Sequence, residues 1–98
     1  MDYNVIVPNF IRLKIRKILK YIFVQTYSKM LVDKINNEVY AQIKSLDFFP
    51  HRFPRYDNNY RVLTYKNYRI FYRIDEKTKT VIIIQLFSTY EDYNNFDF

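Results

Sequence analysis

Between His51 and Arg73 the chain carries six cations, Arg52, Arg55, Arg61, Lys66, Arg69 and Arg73, against a single acid, Asp57. A guanidinium stays charged at any physiological pH and grips phosphate or carboxylate with two donors at once, so a run of this kind could hold a polyanion. His51 is the only histidine, and imidazole is the one side chain whose ordinary pKa lies near neutrality, which makes it a candidate general base. Tyr65 and Tyr90 could stack on nucleobases or serve as weak acids. A second basic stretch, Arg12 to Lys20, carries five cations and no acid, whereas acids outnumber lysines from Ile74 onward. Each feature also has a plainer reading, as solvated surface charge or as a loop histidine fixed by its flanking prolines.

The composition limits which chemistries are open. The 98 residues carry a formal charge of +6, twenty are Tyr or Phe, and none is Gly, Cys or Trp. Without glycine there is no Walker loop and no dinucleotide-binding turn, because both need a backbone with no Cβ against the phosphates. Without cysteine there is no disulfide framework, thiol nucleophile or Cys-ligated zinc. No metal or cofactor is expected. The longest apolar runs fall far short of the roughly 20 residues that span a bilayer, and no signal peptide is evident, so a cytoplasmic protein with no membrane partner is expected.

These side chains need elements to position them. Tyr3 to Val7 reads as a strand. Ile11, Ile15, Ile18, Leu19 and Ile22 then recur at helical spacing, with Arg12, Arg16 and Lys20 on the opposite side. Ser28 is a plausible N-cap for a second helix whose stripe is Val32, Ile35, Val39, Ile43 and Leu46. The short link between the two predicts an antiparallel helical hairpin. Pro50 and Pro54 end it. From Tyr60 the period becomes two, and Tyr60 to Thr64, Tyr68 to Ile74 and Thr80 to Phe87 read as an antiparallel three-stranded meander packed on the hairpin, an α+β fold in one domain over residues 1–98. Centring the first β-hairpin on Lys66 and the second on Lys77 sets Leu63, Arg69 and Gln85 side by side, Arg61 opposite Phe71 and Arg73 opposite Val81. Alternation then sends Val62, Ile70, Tyr72, Ile74, Ile82, Ile84 and Leu86 to the helices. Arg61, Leu63, Arg69, Phe71, Arg73, Ile83, Gln85 and Phe87 fall on the outer face. A face so apolar should be covered, either by the aromatic tail Tyr90 to Phe98 or by a partner.

The wording FPHRFPRYDNNYRVLTYKNYRIFYRID, with the opening YNVIV strand and the basic helical hairpin, resembles the RelE/ParE superfamily of toxins from type II toxin–antitoxin modules. The resemblance implies a growth-arresting toxin neutralised by a cognate antitoxin, expected to cover Leu63, Phe71, Ile83 and Phe87. It also implies one of two targets. RelE-like members cleave messenger RNA on the ribosome without a metal, and ParE-like members inhibit DNA gyrase without a nuclease site. Arg61 in YRVL and Arg69 in YRIFY match the central cationic pair of the nuclease branch, with His51 and Tyr90 as further catalytic candidates. Arg52, Arg55, Lys66 and Arg73 join that pair as candidate target contacts. At the end of the last strand the family usually has a catalytic cation, where this chain has Tyr90-Glu91-Asp92-Tyr93. The expectation is therefore messenger cleavage, with gyrase inhibition, or a degenerate member that only binds its antitoxin, as the alternatives.

Overall fold

The structure, a computed structural model, describes residues 2–88. Strand β1 (Asn4–Ile6) leads into helices α1 (Asn9–Thr26) and α2 (Lys29–Lys44). Two short 3₁₀ turns, Ser45–Asp47 and Pro50–Arg52, carry the chain to β2 (Arg61–Tyr65), β3 (Tyr68–Asp75) and β4 (Thr80–Ser88). The sheet order is β1-β4-β3-β2, with β1 parallel to β4 and the other pairs antiparallel. The expected meander is thus extended to four strands by β1, whose Val5 sits beside Val81. The α+β architecture is that of a RelE/ParE-like fold.

The helices form where their apolar stripes meet the sheet. Ile11, Ile15, Ile18 and Ile22 of α1 and Ile35, Val39 and Ile43 of α2 are buried with Leu46 in one core. Ser28 caps α2, its hydroxyl accepting from the Leu31 N–H at 3.1 Å. Tyr27 closes α1 in the left-handed region at φ 51°, its N–H donating to the Phe23 carbonyl at 2.7 Å. Phe49, Lys66 and Lys79 also have positive φ. Glycine usually takes such positions, since a side chain there costs about 1 kcal/mol or more, and this chain fills all four with bulky residues.

The sheet departs from the expected register. The β2–β3 loop has two residues, Lys66 and Asn67, so Leu63 pairs with Ile70 rather than Arg69, and Arg61 with Tyr72 rather than Phe71. Along β3 and β4, Arg69 pairs with Phe87 rather than Gln85, and Arg73 with Ile82 rather than Val81. A bulge falls between Phe71 and Tyr72, whose partners Gln85 and Ile83 skip Ile84. A one-residue slip moves every side chain of a strand to the other face. Leu63 and Ile83, expected outside, accordingly lie in the main core, while Val62, expected inside, joins Phe71 and Phe87 in a second cluster on the outer face. The bulge lets Val81 and Ile83 face the same core as Leu86 despite their odd spacing. Ile82 and Ile84 are only half buried.

Candidate functional site

The segment after α2 is pinned from several directions. Phe49 turns the chain with φ 42°, and Pro50 then starts a short 3₁₀ turn. The Tyr72 hydroxyl donates to the Pro50 carbonyl at 2.6 Å. From the neighbouring strand, Arg61 Nη1 donates to the carbonyls of Phe53 at 2.8 Å and His51 at 3.1 Å. Both residues point to the helix side, because Arg61 shares pleat parity with Leu63 and is paired with Tyr72. Arg52 reaches back to Ser45, with Nη2 3.1 Å from its hydroxyl and 3.2 Å from its carbonyl, and also donates to the carbonyls of Phe48 and Phe49. Burial pushes the Tyr72 phenol up to about 12, against the opposing charges of Arg61 and Arg52.

Beyond the pinned loop lies a cleft of about 170 Å³ whose lining includes His51, Arg55, Asp57, Arg61, Arg73 and Glu76. It sits at the corner where β3 outruns β2: the last β2 pair is Arg61 with Tyr72, and β3 continues to Asp75. His51 Nε2 lies 2.6 Å from Glu76 Oε1. Glu76 also accepts from the Tyr3 hydroxyl at 3.1 Å and from Lys79 Nζ at 3.4 Å. Burial alone would raise its carboxyl, but hydrogen bonds from His51, Tyr3 and Lys79, with the Lys79 charge, hold it below its ordinary value. Asp57 Oδ1 accepts from the backbone N–H groups of Asn59 at 2.8 Å and Tyr60 at 2.9 Å, folding the turn that forms the far wall. A histidine against a carboxylate can carry a proton, and guanidinium groups beside it can grip a phosphate.

The outer sheet face is a different environment. Arg69 and Arg73 are exposed on either side of the buried Phe71. The Arg69 guanidinium lies 5.7 Å from the Phe71 ring, and Tyr56 meets that ring edge-on at 5.0 Å. Phe71 in turn meets Phe87 at 5.9 Å, and Lys14 Nζ stands 4.4 Å above Phe87 while donating to Gln85 Oε1 at 3.1 Å.

Of the residues expected at a site, His51, Arg55, Arg61 and Arg73 come together around the cleft. Arg69 is not among the residues that line it, whereas Arg73, on the same outer face, borders the cleft at the sheet edge beyond the end of β2. Arg52 is engaged with its own loop. Lys66 lies at the far hairpin, 3.2 Å from Glu38, whose hydrogen bond raises the Lys66 ammonium above its ordinary value. Leu63, Phe71, Ile83 and Phe87 are 1%, 3%, 0% and 7% exposed, so a partner touching them would first have to displace what covers them. Tyr90 and the rest of the tail lie outside the described residues. Glu76 was missed from sequence, where nothing in an Asp-Glu turn points to a histidine on another loop.

A helical hairpin laid on one face of a small mixed sheet, with cations gathered at one corner and on the opposite face, defines a basic α+β domain of RelE/ParE-like form. Residues 12–93 match the family described as ParE toxin of type II toxin-antitoxin system, parDE, and the chain belongs to that family. It is therefore a toxin of a type II toxin–antitoxin module, and an antitoxin is its partner. No curated protein matches the chain. Among the described residues, no helix is long and apolar enough to cross a membrane.

Proposed function

We propose that the chain works as one toxin domain in the cytoplasm and arrests growth by metal-independent cleavage of messenger RNA on the ribosome. What supports this reading is the state of its cations. Arg55, Arg69 and Arg73 have no carboxylate partner among the described residues, although the same surface forms ion pairs at Lys29–Asp33, Lys66–Glu38 and Lys79–Glu76. Such guanidinium groups are suited to stabilise charge that gathers on a phosphate during 2′-hydroxyl attack, and His51 lines the same cleft as Arg55 and Arg73 as a proton carrier.

One observation favours a second reading, inhibition of DNA gyrase by binding alone. The nuclease branch of the resemblance couples Arg61 with Arg69, and here these two lie on opposite faces. Primer extension on messenger RNA from cells induced for the toxin without its antitoxin separates the two. The expected result is new 5′ ends within coding regions. Intact messenger together with gyrase-linked DNA breaks overturns the cleavage reading in favour of gyrase, and unimpaired growth with folded protein present overturns both in favour of a chain that only binds its antitoxin.

A further inference from the structure

We infer that the corner cleft, rather than the Arg61/Arg69 pair, is the phosphate site, and that it takes one phosphodiester group of a single-stranded RNA. The inference rests on the RNA reading above and deepens it. Both acids that line the cleft are already engaged: Glu76 by His51, Tyr3 and Lys79, and Asp57 by the N–H groups of its own turn. Neither acid forms an ion pair with Arg55, Arg61 or Arg73, and three guanidinium charges face two carboxylates in the same lining. That excess of positive charge favours an entering anion.

Arg61 is the anchor of this site. Its Nη1 is fixed by two loop carbonyls, while Nη2 and Nε, which carry three of the five guanidinium hydrogens, have no acceptor among the described residues. A cation held in place by its own hydrogen bonds has less freedom to lose on binding. Arg55 and Arg73 are exposed at the rim and can close on the other oxygens of a tetrahedral group. The cleft, about 170 Å³, has room for about one phosphate group, and a flexible single strand can place one there and turn its base toward the wall beside it. Asn58, Asn59 and Tyr60 on the far wall offer amide edges and an aromatic ring to a splayed base. A carboxylate-rich peptide would meet the same guanidinium groups but would have no use for that wall.

The test is equilibrium binding of a fluorescent six-nucleotide RNA to the purified full chain across a salt series. The Arg55→Gln/Arg73→Gln variant should bind at least tenfold more weakly at 0.15 M salt. Its salt slope should fall by up to about 0.7, the share of the one single-strand phosphate that is no longer neutralised. Arg69→Gln should lose less on both measures. Unchanged affinity and slope in the double variant, or a larger loss in Arg69→Gln, overturns the assignment. Displacement of the RNA by oligoglutamate at equal charge overturns it in favour of an acidic protein segment, and displacement by inorganic phosphate at equal concentration in favour of a free-anion site. Failure here is separable from failure of the cleavage reading. Cleavage that persists in the double variant removes the cleft and leaves that reading standing, whereas cleft-dependent RNA binding with no new messenger ends does the reverse.

Discussion

Arg61 and Arg69 are both the second residue of a Tyr-Arg pair on adjacent strands, yet the fold treats them oppositely. Arg61 is half buried, with two backbone carbonyls on one nitrogen and a cross-strand tyrosine that holds a third carbonyl of the same loop. Arg69 is exposed over an aromatic ring. The first cation builds the corner in which it sits; the second lies on a face that other side chains build. Residue type alone therefore does not separate a structural arginine from a presented one. What separates them is whether loop carbonyls within reach lack other donors, and the proline-interrupted loop supplies such carbonyls at Arg61 only.

The largest effect should come from removing that difference. Arg61→Ala leaves the Phe53 and His51 carbonyls without their guanidinium donor, and hydrogen bonds to a charged group are worth about 1.5–3 kcal/mol each. Because the two share one nitrogen, we expect a combined loss of about 2–4 kcal/mol in urea unfolding. Arg69→Ala should change stability by less than about 0.5 kcal/mol, as exposed substitutions usually do. Equal costs for the two variants would show that the corner is not pinned through Arg61. A direct reading of toxicity in Arg61→Ala must therefore be corrected for folded protein.

Next in size is the tyrosine that shares the corner. The Tyr72 phenol is raised to about 12 in the fold, against an ordinary value near 10. A group raised on folding contributes stability in full below its unfolded pKa and loses it as pH climbs through the folded value. Unfolding free energy should thus fall between roughly pH 10 and 12, by on the order of 2 kcal/mol. Tyr72→Phe should remove the Tyr72 contribution to that alkaline slope and itself cost about 1–2 kcal/mol at neutral pH, since the Pro50 carbonyl loses its donor. An alkaline slope equal in the parent and the variant would place the titration elsewhere.

The contrast between the two arginines was not legible in the sequence, and the reason is local. The helices were, because isoleucines at helical spacing and a serine cap leave little choice. The strands were placed nearly to their ends by β-branched and aromatic runs. Register failed by one residue, because Tyr65, Lys66 and Asn67 are all compatible with a turn and no glycine marks the left-handed position that Lys66 takes. The bulge at Ile84 failed for a related reason: in a run of Ile82, Ile83 and Ile84 the pattern cannot show which one is skipped. Those two silent choices moved Leu63 and Ile83 inward and turned Arg61 away from Arg69. The cations were thus legible as a set, and their division between corner and outer face was not.

The smallest effect tests whether the corner is also an electrostatic unit. Glu76 is held below the ordinary carboxylate range because hydrogen bonds from His51, Tyr3 and Lys79 outweigh its burial. A group depressed on folding contributes stability above its unfolded pKa and loses it as pH falls through the lower folded value. The parent should therefore lose a small increment of thermal stability below about pH 4.5, and Glu76→Gln should flatten that part of the acid limb. Arg69→Gln should leave the same limb unaltered, because no carboxylate partners it among the described residues. Should Glu76→Gln leave the acid limb unchanged, the His51–Glu76 contact is not held in solution, and the corner would present a free carboxylate where an anion is supposed to enter. In that case the cleft would resemble the outer face, with cations displayed over a scaffold rather than built into it.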